Sequence, residues 1–569
     1  MRWPKGVADA PSPLRGAKGF RWFMAEGAAR WLPASLLDNP ESFLLINPPQ
    51  SIVKESPVRQ VAIFSGPQGE FFLKHYKTRE ARERLKYCIV SSKARKEWVM
   101  AHRALSKGIP TPLPLAIAER RRGMILHDAF LITQAIVPSV PLIELIPAGK
   151  QKALLSRTAR LIREAHDTGL FHQDLHAGNV LVGSKEKKLY VIDLHRSRFV
   201  RRFSQGRRLW NLAQFFYSLT GSLSPEDKEA FLQQYDKEKD TFHHGFAEVL
   251  RKIDRLEERI YRRHMKSRTK RCLKNSGGFY VFKNDGWRIW ARREWKTEAL
   301  LDIIRKHEGI VAAGKDGLIK DDRRTAITLF DFMKKRVCIK EYRYKGIMLR
   351  FKEIFRRSKA RTGWLMGNGL VVRGITAIRP QALLERRRGG VRREAFLIME
   401  TPPGYVELDR YLVRSFEDSR HGRTKTRAFL KALAGFMALL FKLRISHRDL
   451  KTCNIMVREA RDTWDFGLVD MDDVQLDKEI RHGRLLKALV QLNTSTPLFI
   501  DMRDRIRLLS RYLTLIKRYN VRGLVRSVIK GSKGRELVYV TPKGDMIMAV
   551  DWEQSCALTS PRPLAKKEL

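Results

Sequence analysis

The alternation of apolar and polar residues predicts a group of β-strands near the start of the chain. Residues 52–64 and 70–76 alternate, contain many β-branched and aromatic side chains, and flank a turn at 65–69 that holds glycine and proline. A further strand is predicted over residues 129–135, and Pro138 interrupts regular structure soon after it. We therefore predict a strand-rich lobe that ends in a hinge.

Segments with the length and composition of helices lie within this lobe and beyond the hinge. The predicted helices are 80–107, 150–166, 208–217 and 226–235. Residues 428–443 form the longest apolar stretch of the chain, but the stretch is short and contains Lys431 and Lys442. This composition predicts a buried helix and not a membrane span.

The same pattern occurs twice along the chain, and this repeat decides the domain organisation. FFLKHYK, around Lys74, matches VCIKEYR, around Lys340, and the motif ERRRG recurs in the same relative place. We predict an α+β chain of two tandem domains, residues 1–265 and 266–569, each with a strand-rich N-lobe and a helical C-lobe. The second domain has a C-terminal extension with two predicted strands, LVYV and IMAVDW.

Two copies of one polar loop carry the candidate chemistry. HQDLHAGN, from His172, and HRDLKTCN, from His447, each place an asparagine five residues after an aspartate, and an aspartate ends the apolar strand that follows. This arrangement is typical of phosphoryl transfer from ATP, in which one aspartate receives or orients the hydroxyl proton and the asparagine and later aspartate hold Mg²⁺. The candidate catalytic residues are Asp174 and Asp449, and the candidate metal ligands are Asn179, Asp193, Asn454 and Asp470.

The charge balance indicates an anionic partner. The chain has 112 Lys and Arg against 61 Asp and Glu, a formal net charge of +51. On charge alone the partner is nucleic acid, anionic lipid or a phosphorylated glycan. The five cysteines lack CxxC spacing, so neither zinc nor a disulfide framework is expected and a reducing cytoplasm fits best. The first residues lack the apolar segment of a secretory signal.

The chain resembles the bacterial lipopolysaccharide kinase family, the Kdo and heptose kinases with a protein-kinase-like fold, over roughly residues 50–260 and 316–515. The motifs that carry the resemblance are VKES at 53, FLKHY at 72, KARKEW at 93, GIPTPLPLA at 108, HQDLHAGN at 172 and VIDLHR at 191. The resemblance implies two protein-kinase-like domains that use ATP and Mg²⁺ to phosphorylate a sugar hydroxyl of the lipopolysaccharide inner core, on Kdo or heptose.

The same resemblance implies partners and a location. The expected partners are lipopolysaccharide, or a lipid A-core precursor, and an anionic membrane surface, and no specific nucleic acid is expected. The expected location is cytoplasmic, peripheral at the inner face of the inner membrane.

The resemblance also assigns the residues that bind the nucleotide. Lys74 and Lys340 would hold the α- and β-phosphates, and Glu97, on the helix that follows, would pair with Lys74. His172 is expected to brace the loop. His176, two residues after the catalytic aspartate, is either a donor to the γ-phosphate or a solvated side chain.

The second copy departs from the pattern at one position. Gly363 stands where Glu97 stands in the first copy, so we expect Lys340 to lack an anchoring partner and the second domain to turn over more slowly. The sequence DFG at 465–467 is a decoy, because Asp470 matches the first metal-binding aspartate by context.

Two other functions share these motifs. A protein kinase or a small-molecule kinase of the same fold would carry the HxDLHxxN loop as well. A kinase-fold scaffold protein for glycan assembly would keep the fold without turnover, but the intact set of catalytic residues argues against this for the first domain.

Overall fold

The computed structural model divides into two compact units, Met1–Tyr261 and Arg262–Leu569, and this division lies slightly before the predicted boundary at residue 265. The structure describes residues 14–15, 19–56, 59–78, 81–146, 152–184, 188–238, 241–242, 245–284, 286–314, 316–344, 358–388, 391–416, 423–461, 463–497, 500–535, 537–540 and 546–549.

The first unit opens with a seven-stranded antiparallel sheet. In spatial order its strands are Leu14–Arg15, Phe20–Met24, Pro114–Arg122, Ile125–Gln134, Gly69–Lys77, Arg59–Gly66 and Ser51–Ser56. The segment predicted as one strand over 52–64 is therefore two strands. Pro57 lies between them in sequence and has no amide hydrogen to offer a ladder.

Helices make up much of the rest of the first unit. They are Ala34–Asp38, Pro40–Ile46, Ala81–Ile89, Lys93–Leu105, Leu142–Leu145, Lys152–Asp167, Gln205–Ser218, Pro225–Tyr235 and Phe246–Thr269, the last of which crosses the division. The predicted helix over 80–107 is two helices. The second begins where the hydroxyl oxygen of Ser92 accepts a hydrogen bond from the backbone N–H of Arg95 at 3.0 Å, as an N-cap serine does.

Short strands hold the polar loop of the first unit in place. They are Ser139–Pro141, Leu170–His172, Val180–Gly183, Leu189–Val191 and Ser197–Phe199. The helical lobe beneath them has its own apolar core, in which the rings of Phe215, Phe216 and Phe231 contact one another. The loop thus lies on a rigid base.

The second unit repeats this architecture, which confirms the predicted α+β repeat. Its seven-stranded sheet has the same spatial order: Phe279–Asn284, Trp287–Arg292, Arg379–Arg388, Val391–Glu400, Lys335–Arg343, Thr325–Phe332 and Leu318–Asp321. Its helices are Thr297–Ala313, Lys359–Val372, Leu408–Phe416, Arg423–Lys442, His482–Ser495, Met502–Ile516 and Val521–Ser532.

Shorter strands complete the second unit. They are Thr376–Ala377, Val406–Glu407, Ser446–His447, Ile455–Ala460, Thr463–Leu468 and Val474–Gln475, followed by the paired extension strands Leu537–Val540 and Met546–Ala549. The first predicted extension strand is therefore present, as is the start of the second, whose residues 550–552 lie outside the described part of the chain. Within the described part of the chain, none of the helices has the length and apolar character that crossing a membrane requires.

Candidate active site

A buried ion pair joins the sheet of the first unit to its neighbouring helix. The ammonium of Lys74 lies 2.5 Å from Oε1 of Glu97, and the two side chains are only 12% and 6% exposed. The hydroxyl of Tyr76, on the same strand as Lys74, donates to the other carboxylate oxygen of Glu97 at 2.8 Å. Charge-assisted hydrogen bonds of this kind fix both partners, so the lysine is held in one position.

The catalytic loop is braced by a neutral histidine. Nε2 of His172 donates to the backbone carbonyl of Ile192 at 3.0 Å, and its Nδ1 accepts from the backbone N–H of Asp174 at 3.2 Å. Burial lowers the pKa of His172, which keeps the ring in this neutral form. The side-chain nitrogen of Asn179 donates to the carbonyl of Asp174 at 2.9 Å. The loop therefore presents the candidate catalytic residue Asp174 from a fixed backbone.

Asp193 adopts a backbone conformation that is rare outside glycine. Its φ is 62° and its ψ is 46°, in the left-handed region, and such outliers concentrate at functional sites. Its carboxylate accepts from Nδ1 of His195 at 2.8 Å and lies 3.6 Å from the guanidinium of Arg59. Burial alone would raise the pKa of Asp193, but the bond from His195 and the charges of Lys74 and Arg59 lower it well below its usual range. The carboxylate is thus ionised, as a metal ligand must be.

The carboxylate oxygens of Asp193 are of the kind that a hard divalent cation binds. The amide nitrogen of Asn179 is used on the loop, which leaves its oxygen as the atom that can ligate. A second grouping of possible ligands, Glu97, Asp193 and His195, places one atom from each within 4.8 Å of the others. Glu97 already holds the lysine, so of these three side chains the carboxylate of Asp193 is the one that suits a hard cation such as Mg²⁺ best.

Two arginines that the sequence analysis did not assign also reach the catalytic groups. Arg59 pairs with Asp193, and a guanidinium nitrogen of Arg196 lies 3.7 Å from a carboxylate oxygen of Asp174. Arg59 could have been found from its position in the sequence, because it lies where a protein kinase carries its glycine-rich loop. Its counterpart in the second copy is Thr325, so the arginine is specific to the first unit.

The polar loop of the second unit has the same hydrogen bonds. Nε2 of His447 donates to the carbonyl of Val469 at 3.0 Å, and its Nδ1 accepts from the N–H of Asp449 at 3.2 Å. The side chain of Asn454 donates to the carbonyl of Asp449 at 2.7 Å, and Asp470 is again left-handed, with φ 54°. The geometry of this loop does not distinguish the two units.

The lysine of the second unit is anchored, and the expectation that it lacks a partner is wrong. Lys340 lies 2.5 Å from Oδ1 of Asp470 and 2.9 Å from Oδ1 of Asp472. Burial alone would raise the pKa of Asp470, but the hydrogen bond with Asp472 and the charge of Lys340 lower it to about 2. Burial and the neighbouring Asp470 raise the pKa of Asp472. Gly363 has no side chain to contribute, and Asp472 supplies the carboxylate instead.

Comparison with known proteins agrees with this geometry. The sequence profile of the lipopolysaccharide kinase (Kdo/WaaP) family matches the chain twice, at residues 47–235 and 322–512, which is more than half of its length. The chain belongs to this family. It is therefore a kinase that transfers a phosphoryl group to a sugar hydroxyl of the lipopolysaccharide core.

Curated relatives and a solved structure give the degree of similarity. The lipopolysaccharide core heptose(I) kinase WaaP of Pseudomonas aeruginosa is 28% identical over 193 residues, which is 30% of this chain and 69% of the relative. The protein of the same name from Escherichia coli strain K12 is 24% identical over 228 residues, 37% of this chain and 82% of the relative. A structure titled "WaaP in complex with acyl carrier protein" covers 42% of this chain and 99% of that chain, at 23% identity and a TM-score of 0.32.

The kinase-like DFG sequence of the second unit lies outside the cleft. Asp465 is in the strand Thr463–Leu468, where it is half-exposed, accepts from the hydroxyl of Tyr405 and lies 3.5 Å from Arg458. Asp470 and not Asp465 contacts the lysine. The aspartate that contacts the lysine is thus identified by its place at the end of the strand and not by the DFG motif.

The repeated motif ERRRG has a role in the fold. Its glutamate is buried in each unit, and Glu119 accepts from the hydroxyl of Ser92 at 2.5 Å while Glu385 accepts from Ser358 at 3.1 Å. The arginine two residues later bonds the same glutamate in both copies. Part of the basic charge that the sequence presents as a cluster is therefore neutralised inside each sheet.

Proposed function

We propose that the first unit is an ATP- and Mg²⁺-dependent kinase that phosphorylates a heptose hydroxyl of the lipopolysaccharide inner core. The observation that carries the proposal is the buried pair of Lys74 and Glu97 beside an ionised, left-handed Asp193 and the braced loop of Asp174. Heptose is favoured over Kdo because the curated relatives with named acceptors are heptose(I) kinases.

In this proposal each residue has one task. Lys74, held by Glu97, orients the α- and β-phosphates of ATP, and Asn179 and Asp193 would hold Mg²⁺, which when bound neutralises charge on the phosphates. The side chain of Asp174 is 48% exposed, so a sugar hydroxyl can reach it. Its carboxylate orients that hydroxyl and takes up its proton as the oxygen attacks the γ-phosphorus.

We place the enzyme at the cytoplasmic face of the inner membrane, as a peripheral protein. Support comes from the net charge of +51, which would draw the chain to an anionic surface that carries a glycolipid acceptor. Co-sedimentation with anionic and neutral vesicles across a salt series tests this. We expect binding to anionic vesicles only and a steep loss with salt. Equal binding to neutral vesicles would contradict the location.

The activity is tested with the purified full-length chain and defined acceptors. Phosphate transfer from ATP is measured by mass spectrometry on a core glycolipid that ends in heptose and on its precursor that ends in Kdo. We expect transfer to the heptose acceptor, dependent on Mg²⁺ and removed by Asp174→Asn together with Asp449→Asn. Transfer to the Kdo precursor alone would overturn the choice of heptose, and transfer to neither would overturn the proposal.

A further inference from the structure

The two units hold their lysines with carboxylates from different elements. In the first unit the carboxylate belongs to Glu97, on the helix Lys93–Leu105. In the second unit the carboxylate belongs to Asp472, on the short turn Met471–Asp473 that follows the metal-binding aspartate. The side chain of Asp472 is only 6% exposed, so the bond to the lysine is shielded from water.

The loop that carries Asp472 has the same shape in both units. Asp472 follows Asp470 by two residues, as His195 follows Asp193, and each metal-binding aspartate is left-handed and begins a one-turn 3₁₀ helix. The histidine of the first unit bonds back to its own aspartate. In the second unit Asp472, at the matching position, bonds to Lys340. The same backbone shape therefore places a partner for the aspartate in one unit and a partner for the lysine in the other.

The helix of the second unit is shaped to admit this aspartate. A Cβ atom placed on Gly363 would lie 2.9 Å from the side chain of Leu397 and 3.8 Å from Cβ of Asp472. One turn further, a Cβ on Gly367 would lie 2.5 Å from Pro380 and 2.7 Å from the sulfur of Met471. The helix can approach the loop this closely because both positions are glycine.

These glycines are costly for a helix unless they have a packing role. Glycine in a helix interior is less favourable than alanine by about 1 kcal/mol. The first unit has Glu97 and Ala101 at the matching positions. The loss of the helix glutamate and the gain of the loop aspartate are therefore parts of one rearrangement, because the space vacated by the first change is where the second carboxylate lies.

The remaining groups of the second site also have partners. A carboxylate oxygen of Asp449 accepts from the side chain of Gln491 at 2.8 Å, and the ammonium of Lys451 lies 3.4 Å from its other oxygen. The buried Tyr342 occupies the place of the tyrosine that bonds Glu97, and its ring centre lies 5.3 Å from the ammonium of Lys340. The anchor of the lysine is the one feature that the sequence comparison suggested was absent from the second site, and Asp472 provides it.

We propose that the second unit is a working phosphotransferase centre in which Asp472 is the positioning residue for Lys340, in place of a helix glutamate. The proposal rests on the kinase function proposed above. In its transfer step, the acceptor oxygen forms a bond to the γ-phosphorus of ATP, the bond from that phosphorus to the β,γ-bridging oxygen breaks, and ADP leaves. The hydroxyl proton passes to Asp449 and then to solvent.

The first test isolates the second unit in the full-length chain by Asp174→Asn. Within that background, Asp472→Asn should lower kcat/KM for ATP about 10- to 100-fold, which matches the loss of one charge-assisted bond. Adding Gly363→Glu to Asp472→Asn should restore part of this loss, because Leu131 of the first unit occupies the position of Leu397 and coexists with a glutamate there. A merely structural role for Asp472 would give no such rescue.

The second test does not depend on the acceptor. A lysine-reactive acyl phosphate of ATP is incubated with the full-length chain, and peptide mass spectrometry follows labelling of Lys340, with Lys74 of the same chain as the internal control. Asp472→Asn should reduce labelling of Lys340 about tenfold while Lys74 is unchanged, and the pair with Gly363→Glu should recover it.

The outcomes separate this proposal from the one on which it rests. Absence of transfer in the Asp174→Asn chain, with transfer retained by the unaltered chain, would overturn the second centre and leave the proposed function intact. No transfer by the unaltered chain to any core acceptor would overturn the proposed function. Equal or higher labelling of Lys340 after Asp472→Asn would overturn the positioning role of Asp472.

Discussion

The two units of this chain solve one electrostatic problem in two ways. Each must hold a buried lysine ammonium on its sheet, and each does so with a carboxylate at 2.5–2.9 Å. In the first unit the carboxylate comes from a helix and is separate from Asp193, the proposed metal ligand. In the second it comes from the turn beside that aspartate, and Lys340 also contacts Asp470 directly. The requirement is thus for a carboxylate at one point in space, whichever element supplies it.

This difference has a consequence for how the two sites engage a metal. In the first unit, Asp193 accepts a hydrogen bond from His195 and faces Arg59, so neither of these partners is Lys74. In the second unit the lysine sits between the two aspartates and shares their charge. Binding of a cation to Asp470 would leave Asp472 as the partner that keeps Lys340 in place.

The largest expected effect comes from removing the catalytic aspartates one at a time. Asp174→Asn should lower the rate of transfer by the first unit roughly 10²- to 10⁴-fold, because it removes the group proposed to take the hydroxyl proton. Asp449→Asn should do the same for the second unit. Mass spectrometry of the phosphorylated core positions, with each variant alone and both together, measures the two contributions. Near-normal transfer by the double variant would show that neither loop is catalytic.

Loss of the helix carboxylate should have the next largest effect. Glu97→Gln keeps an acceptor for Tyr76 but removes the charge that holds Lys74, so kcat/KM of the first unit should fall about 10- to 100-fold. The assay uses an Asp449→Asn background, and Asp472→Asn in the opposite background is the matched control. If Glu97→Gln is harmless where Asp472→Asn is damaging, the two carboxylates do not share a role.

A buried histidine should make the first unit sensitive to acid. His166 contacts the hydroxyl of Tyr235 at 2.7 Å and the side-chain oxygen of Asn211 at 3.2 Å, and burial lowers its pKa from 6.5 to about 3. The unfolded chain binds a proton below pH 6.5 that the folded chain rejects until about pH 3. In this window stability falls as pH falls, by about 1.4 kcal/mol per pH unit for one group.

The second unit offers the control for that histidine, since Phe441 occupies the matching position. Urea unfolding of the full-length chain between pH 7 and 5 measures the dependence. His166→Phe should make the unfolding of the first unit less dependent on pH, whatever the substitution does to stability at pH 7. An unaltered slope would mean that His166 does not carry the acid sensitivity.

The smallest expected effect concerns Arg59. Its ion pair with Asp193 is partly exposed, and such pairs contribute up to about 1 kcal/mol. Arg59→Thr, which copies Thr325 of the second unit, should therefore raise the KM for ATP of the first unit by a few-fold at most and leave kcat nearly unchanged. Kinetics in the Asp449→Asn background check this. A large fall in kcat would place Arg59 among the groups that act on the transition state.

Much of this arrangement was predictable from the sequence, because the repeat and the spacing within each loop are local features. The pairing of Lys74 with Glu97 and the bracing by His172 were expected from the resemblance to the family, and the structure shows both contacts. The partner of Lys340 was missed because comparison of the copies aligns Asp472 with a histidine and looks for an acid only at position 363. A carboxylate that moves to another element leaves no match at the old position.

Breaks within regular elements were also missed for local reasons. The single helix predicted over 80–107 ignores Ser92, whose side chain caps a new helix. The hydroxyl of Ser92 also donates a hydrogen bond to Glu119 on the sheet. That contact depends on residues far apart in sequence, and periodicity within a short window cannot reveal it.

The bond between Ser92 and Glu119 ties the first turn of the glutamate helix to the sheet that carries the lysine. To swing this helix outward and separate Lys74 from Glu97, the chain would have to break a buried bond to a carboxylate, at a cost of about 1.5–3 kcal/mol beyond the ion pair itself. The detached arrangement would then be at least roughly ten times rarer than without the tie. The tie therefore favours the position of the helix in which Lys74 and Glu97 are paired.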